Sequence, residues 1–425
     1  MTPDEALARI RRYDGRLKAF VTVFDPPLLG EDLDGPVFAI KDLFDVAGVP
    51  TGGGARVPLD ANPARHALAV QRLLQAGWSA VGKTHTVELA YGGWGTNRAV
   101  GAPRNPWDAG VHRVPGGSSS GSAVAVAAGL CDGALGSDTG GSVRIPAAIC
   151  GVVGLKPGRG LVSLKGVHPL CPALDTVGTL ARDVATAARM LAAISGPDGA
   201  AAVREPLDAE AALSAEVRGR RLAALPLDAL GQVDPDVARL YGEAIGRLRD
   251  LGLSVETVEP PAVLEQSFAA NGLLMAGEGW RIWRERIQRW RDEMDPWIVR
   301  RFEAGRDVTD EQLADAHVRR AADQRAFHTW LAEYDGLLSP TCPIPAPPID
   351  DVDEATSPLS RLTRAANYLD LPAITVPCGL CAGGLPAGLQ ILGRPTDEAG
   401  VVALGAAFER VSDWNGRSAD LSGFA

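Results

Sequence analysis

Apolar residues fall at broadly helical intervals over residues 4–20, where Ala6, Leu7, Ile10, Leu17 and Phe20 recur, and the pattern predicts an amphipathic helix. Gly35-Pro36 then breaks the chain ahead of VFAIKD, a short apolar run with the character of a buried strand that would carry Lys41 at its end. A second helical pattern over 67–76 stops at Gly77. WSAVGKT follows as a short strand, and the Gly, Pro and Asn crowded into 92–117 predict a long structured loop. In GGSSSGSAVAVAAGL, serines with helix-capping chemistry precede an Ala-rich stretch that is apolar on every face, as in a helix buried in a large core. ALGSDTGGSVRIPAAICGVVGLKP comes next, with a short apolar strand and a Gly-rich turn, so two serine-bearing glycine turns lie close together in buried sequence.

After residue 200 charge and helix formers dominate until Tyr334, with one candidate strand at RRLAALP, and this stretch reads as peripheral. Strand patterns return at GLLSPTCP, PAITVPC and GLQILG, before a closing helix over 397–411. Alternating strands and helices at both ends predict an α/β sheet with helical cover. The 425 residues suit a single large α/β domain as well as two or three smaller ones.

Composition narrows the partners. Apolar residues at 46% and charged residues at 22% exclude a disordered chain. A net charge of −10 gives the chain as a whole no electrostatic footprint for nucleic acid or anionic lipid, so a small-molecule partner is expected. Six cysteines are too sparse for a disulfide framework and suit a reducing cytoplasm. The first twenty residues lack the apolar region of a signal peptide, and no run of eighteen strongly apolar residues occurs, so neither export nor membrane insertion is expected.

Several local motifs compete for the chemistry. Gly77 to Thr84 fits the P-loop spacing, but a helix precedes Gly77 where a P-loop needs a strand, which favours a plain helix–turn–strand connection. Gly117-Ser118-Ser119-Ser120-Gly121 fits a nucleophile elbow centred on Ser119. No strand leads into it, and His168, His317 and His328 lack a recognisable setting as its base, so a helix-capping turn is the better reading. Cys378 and Cys381 have redox or half-metal-site spacing without a second pair, and read as structural. Trp280, Trp283, Ile287, Trp290, Met294 and Trp297 follow helical spacing, with Pro296 disturbing the last turn, and read as amphipathic packing. Trp280, Trp283 and Glu278 are also candidates for a pocket wall or lid. What remains is Lys41 at a strand end with Ser118 and Ser142 in glycine turns. Serine is a poor nucleophile until a base takes its proton, and a desolvated lysine can be neutral enough to do so.

The segments GGSSSGSAVAVAAG and GSDTGGSVRIPA resemble the amidase signature family, amide hydrolases that use a Ser-cisSer-Lys triad. The resemblance extends to VFAIKDLFDVAGVPT, VGKTHTVELAYG, NPWD at 105–108, GLKPGRGLVS, LSPTCPIPAPP and LPAGLQILGRPTDE, and is thinnest over 205–335. It implies one domain over 1–425, a mixed and mostly parallel sheet with helices on both faces, and 205–335 as a variable, mainly helical cover. It also implies Lys41 as base, Ser118 as bridging serine after a cis Gly117–Ser118 bond, and Ser142 as the nucleophile forming an acyl-enzyme. The backbone N–H groups of Thr139, Gly140, Gly141 and Ser142 would then form the oxyanion hole, with Asp138, Arg144 and Ser119 in support. No cofactor, metal, nucleic acid or membrane is implied, and a homodimer is the common default.

The expected reaction is hydrolysis of a small amide, ureide, anilide or carbamate; the alternative is the glutaminase subunit of a tRNA-dependent amidotransferase. Two departures bear on this. The chain between Phe24 and Gly35 is short for the family, which weighs against a membrane-lipid amidase. His85 and Thr86 stand where the amidotransferase subunits commonly show KTNMDEF, which weighs against the alternative.

Overall fold

The computed structural model describes residues 1–32, 35–198, 204–414 and 416–425. Its strands, in chain order, are β1 (Phe20–Leu28), β2 (Val37–Lys41), β3 (Ser79–Thr84), β4 (Gly133–Asp138), β5 (Val153–Lys156), β6 (Thr176–Ala181), β7 (Arg221–Ala224), β8 (Ser254–Thr257), β9 (Gly336–Pro340), β10 (Ala373–Leu380) and β11 (Pro386–Leu392). The helices are α1 (Pro3–Leu17), α2 (Leu68–Gln75), α3 (Ser120–Ala127), α4 (Arg144–Cys150), α5 (Val184–Ile194), α6 (Ala209–Ser214), α7 (Pro235–Asp250), α8 (Val263–Trp290), α9 (Pro296–Glu303), α10 (Asp310–Leu331), α11 (Arg364–Tyr368) and α12 (Glu398–Val411).

Strand β2 is buried at all five positions, and its side chains alternate between two separate apolar clusters. Phe38 and Ile40 join residues of α2, α5 and α12, while Val37 and Ala39 join residues of α1, α3 and α4. Because successive strand side chains point to opposite faces, helices must cover both faces of the sheet, which is why the strand reads as an unbroken apolar run. All eleven strands form one sheet in the order β1-β3-β2-β4-β6-β5-β10-β11-β9-β7-β8.

The sheet is mixed and helix-covered, as expected, but the expectation that it is mostly parallel needs correction. Four of its strand pairings are parallel and six antiparallel among the described residues. One antiparallel pairing comes from the β10–β11 hairpin, whose connection is too short for the crossover a parallel pair requires. The first helix also ends earlier than its apolar pattern suggests. Thr2 and Glu5 form a capping box at its start, and Lys18, left-handed at φ 58°, closes it through its N–H to Asp14 O. Phe20 therefore begins β1, a strand that helical spacing conceals.

The 205–335 stretch is mainly helical but not merely peripheral. It supplies β7 and β8 at one end of the sheet, and only β7 is visible in the pattern. Pro296 starts a new helix rather than disturbing an old one. Helix α8 ends at Trp290, and α9 begins with Pro296 in its first turn beneath the Asp295 cap.

Candidate active site

Strands β2 and β4 run parallel with Ile40 opposite Leu135, so their carboxyl ends lie together. That places Lys41, fully buried, beside Ser137, and its Nζ donates to Ser137 Oγ at 2.9 Å and to Ser118 Oγ at 2.7 Å. Burial pulls the Lys41 ammonium down to about 7, against the opposing pull of Asp138 and Asp175. Ser118 follows a cis Gly117–Ser118 bond. Its carbonyl accepts from Thr86 Oγ1 at 2.9 Å and from Val87 N at 3.2 Å.

Ser119 occupies the position before α3 yet makes no side-chain cap; its Oγ donates to Ser137 O at 3.3 Å, and its N–H donates to Ser142 O at 3.1 Å. The two serine turns are thereby tied together. The capping reading of Ser119 is corrected, whereas the elbow stays rejected, as the sequence reading had it. His168 pairs with Asp45, His317 with Glu278, and His328 with Leu369 O. Among the described hydrogen bonds none joins a histidine to Ser119, and none joins the Ser118 and Ser142 side chains.

Ser142 lies in the turn between β4 and α4 and lines a cavity of about 470 Å³. Three carbonyls at this turn are engaged from other elements. Asp138 O accepts from Asn367 Nδ2 at 2.9 Å, Thr139 O from Asn271 Nδ2 at 3.2 Å, and Gly140 O from Thr363 Oγ1 at 2.7 Å. The N–H groups of Thr139, Gly140 and Ser142 have no protein acceptor among the described residues. Gly141 differs, because its N–H donates to Asp138 Oδ1 at 2.7 Å. It is therefore removed from the expected oxyanion donors, the carboxylate having taken it to close the turn.

Asp138 and Arg144 form a two-point ion pair that is wholly buried, with Nη2 to Oδ1 at 2.9 Å and Nε to Oδ2 at 3.1 Å. Burial opposes the Asp138 charge, but the guanidinium outweighs it and holds the carboxyl well below its ordinary range. Arg144 also donates to Thr363 O, Gln390 Oε1 and Asn367 Oδ1 at 2.7–2.8 Å. Asp175 accepts from Thr139 Oγ1 at 2.5 Å and from the backbone of Leu170 and Cys171, and burial pushes its carboxyl up to about 6.

Ser137, Asp175, Asn271, Thr363, Asn367 and Gln390 are the contributors that the sequence reading did not single out. Only Gln390 carries a signal of its own, a polar residue inside the apolar strand GLQILG.

Other motifs resolve outside this site. Lys83 is buried in β3 and pairs with Asp42 at 2.7 Å, so the Gly77–Thr84 segment is the expected helix–turn–strand connection. Cys378 and Cys381 are free thiols, and burial pushes both up to about 12. Trp283 Nε1 donates to Pro169 O at 2.9 Å, and Glu278 accepts from Ala173 N at 3.0 Å, so both brace the 169–173 loop rather than line the cavity. Trp280 packs beneath Arg306. From the same tryptophan series only Trp297, on α9, reaches the cavity wall.

The family model described as Amidase matches residues 1–402. The chain belongs to the amidase signature family. It is a hydrolase of carbon–nitrogen bonds other than peptide bonds. It is 36% identical to a subunit of glutamyl-tRNA(Gln) amidotransferase from Chloroflexus aggregans, over 99% of this chain and 90% of that protein. The solved structure of the glutamyl-tRNA(Gln) amidotransferase subunit from Thermotoga maritima is 32% identical with a TM-score of 0.86, covering 97% of this chain and 92% of the other. A bacterial aryl acylamidase of the amidase signature family is 26% identical with a TM-score of 0.86, covering 97% and 94%. No helix among the described residues of this amidase signature protein is long and apolar enough to cross a membrane.

Proposed function

We propose that the protein hydrolyses the C–N bond of a small amide through an acyl-enzyme on Ser142, with Ser118 as the relay and Lys41 as the base. The observation that carries this reading is the 2.7 Å contact from the buried Lys41 Nζ to Ser118 Oγ, beside the turn that bears Ser142. A lysine with its ammonium pulled down to about 7 is substantially neutral at physiological pH and can accept a proton there. Ser142 Oγ attacks the carbonyl carbon, its proton passes to Ser118, and the Ser118 proton passes to Lys41 Nζ. The N–H groups of Thr139, Gly140 and Ser142 receive the developing oxyanion, a kind of donor whose single removal costs ~10²–10³ in rate. The C–N bond breaks, and the leaving amine takes the proton back along the same path. Water then attacks the ester carbon, giving its proton to the relay; as the C–Oγ bond breaks the relay returns that proton to Ser142 Oγ, freeing the acid and regenerating Ser142 and neutral Lys41.

Glutamine is a second reading of the substrate, favoured by the relatives named as glutamyl-tRNA(Gln) amidotransferase subunits, which support it better than the stand-alone amidase. The departure at His85 loses its weight against it. His85 is buried, its backbone bonds to Ala19 and Gly121, burial holds its imidazole down to about 4, and it does not line the cavity that holds Ser142. The test is ammonia or amine release from glutamine, simple primary amides, anilides, ureides and carbamates, comparing wild type with Ser142→Ala. Release by wild type alone is expected. Equal release by Ser142→Ala would overturn the nucleophile, and release from glutamine alone would select the amidotransferase reading.

A further inference from the structure

We infer that Arg364 anchors a carboxylate on the substrate, so that this hydrolase selects amides that also bear an acid group. The inference rests on the proposed amide hydrolysis and adds to it the substrate class and the residue that reads it. Arg364, the first residue of α11, lines the same cavity as Ser142, Thr139 and Gly140. It lies close to the oxyanion turn, since a Cβ built on Gly140 would stand 3.4 Å from Arg364 Cγ. Its guanidinium is fixed against the Phe268 ring at 4.0 Å, with Nε donating to Ser360 Oγ and Nη1 to Phe268 O, both at 3.2 Å. These acceptors are neutral. Among the described residues no carboxylate pairs with Arg364, and its Nη2 has no protein acceptor.

The charge balance of the cavity points the same way. Arg300, Arg301 and Arg364 line it against one carboxylate, Glu354, which is already held by Arg301 Nη2 at 2.7 Å and by Thr96. Arg300 is exposed and stacked over Trp297, so Arg364 is the inner cation without a counter-charge among the described residues. Burial, with Arg301 adding to it and Tyr91 opposing it, pulls its guanidinium down to about 10, which leaves it charged at neutral pH. A guanidinium with open donors facing a cavity fits a carboxylate by parallel N–H contacts.

Succinamate and butanamide form a matched pair, one with the carboxylate and one with a methyl group in its place. Binding is measured by calorimetry on Ser142→Ala, so that it does not depend on turnover, and turnover is measured on the protein with Ser142 intact. Succinamate is expected to bind Ser142→Ala and to lose about 10–100-fold in affinity when Arg364→Leu is added, with Arg364→Lys in between. Butanamide should respond by less than about 3-fold. In turnover, the loss for succinamate should fall mainly on KM. Equal binding of the two amides to Ser142→Ala, or an acid preference that survives Arg364→Leu, would overturn the assignment. Labelling of Ser142 by an uncharged fluorophosphonate, retained in Arg364→Leu, checks folding and keeps the two readings separable. Labelling with no acid preference would sink only the Arg364 assignment, whereas absent labelling and hydrolysis would sink the nucleophile.

Discussion

Lys41 shows how much one residue depends on its surroundings. Its position at the end of VFAIK is readable from the apolar run, and its candidacy as a base follows from the family resemblance. Its depressed proton affinity needs complete burial, which the run alone does not establish. Below about pH 7 the side chain is an ammonium ion and cannot accept a proton; above it the neutral amine can. The kcat/KM of the wild type should therefore rise with pH through about 7 and then level off, and Lys41→Ala should lose about 10²–10⁴-fold at pH 8 with an unchanged circular dichroism spectrum. A flat profile between acidic and alkaline pH, or a fully active folded Lys41→Ala, would rule Lys41 out as the base. Gly141 illustrates the opposite case. The sequence suggests an oxyanion donor in TGGS, but whether its N–H is free depends on the Asp138 carboxylate, which takes it.

At the scale of the element, the turn from β4 into α4 is the decisive piece. Gly141 sits at φ 125°, and a Cβ there would stand 2.1 Å from Thr363 Oγ1, so both backbone conformation and space demand glycine. Gly141→Ala must displace either the turn or Thr363, whose hydroxyl holds Gly140 O. Turnover is expected to fall by at least about 10²-fold, comparable with removing an oxyanion donor, with a smaller change in thermal midpoint. Parental activity in Gly141→Ala would show that the turn geometry is not needed. The helical elements α2, α3 and α12 were legible because burial repeats at helical intervals or fills every face. Strand β8 was not, because its four residues, SVET, bury only Val255 and carry too short a pattern to register.

At the scale of the whole molecule, Arg144 joins segments far apart in the chain. Its bonds to Asp138, Thr363, Asn367 and Gln390 link the β4–α4 turn to α11 and β11, across 219 to 246 residues for the last three. Arg144→Leu would leave Asp138 buried and unpaired, which costs about 3–5 kcal/mol. Denaturant unfolding should report a loss of that order at pH 7, and a change under about 1 kcal/mol would mean that the pair is not structurally important.

By itself the sequence determined the principal helices, the buried strand ending at Lys41, the two serine turns and, through its motifs, the family. Those features are set by residue type and spacing within short windows. Tertiary structure alone decided that most strand pairings are antiparallel, that Gly141 N–H is occupied, and that Ser137, Asp175 and Gln390 surround the site. It also placed Arg364, without a counter-charge among the described residues, in the wall of the cavity that Ser142 lines. The reason is physical: strand direction, desolvation and charge balance come from groups brought together across the chain, and local periodicity carries no record of which neighbours those will be.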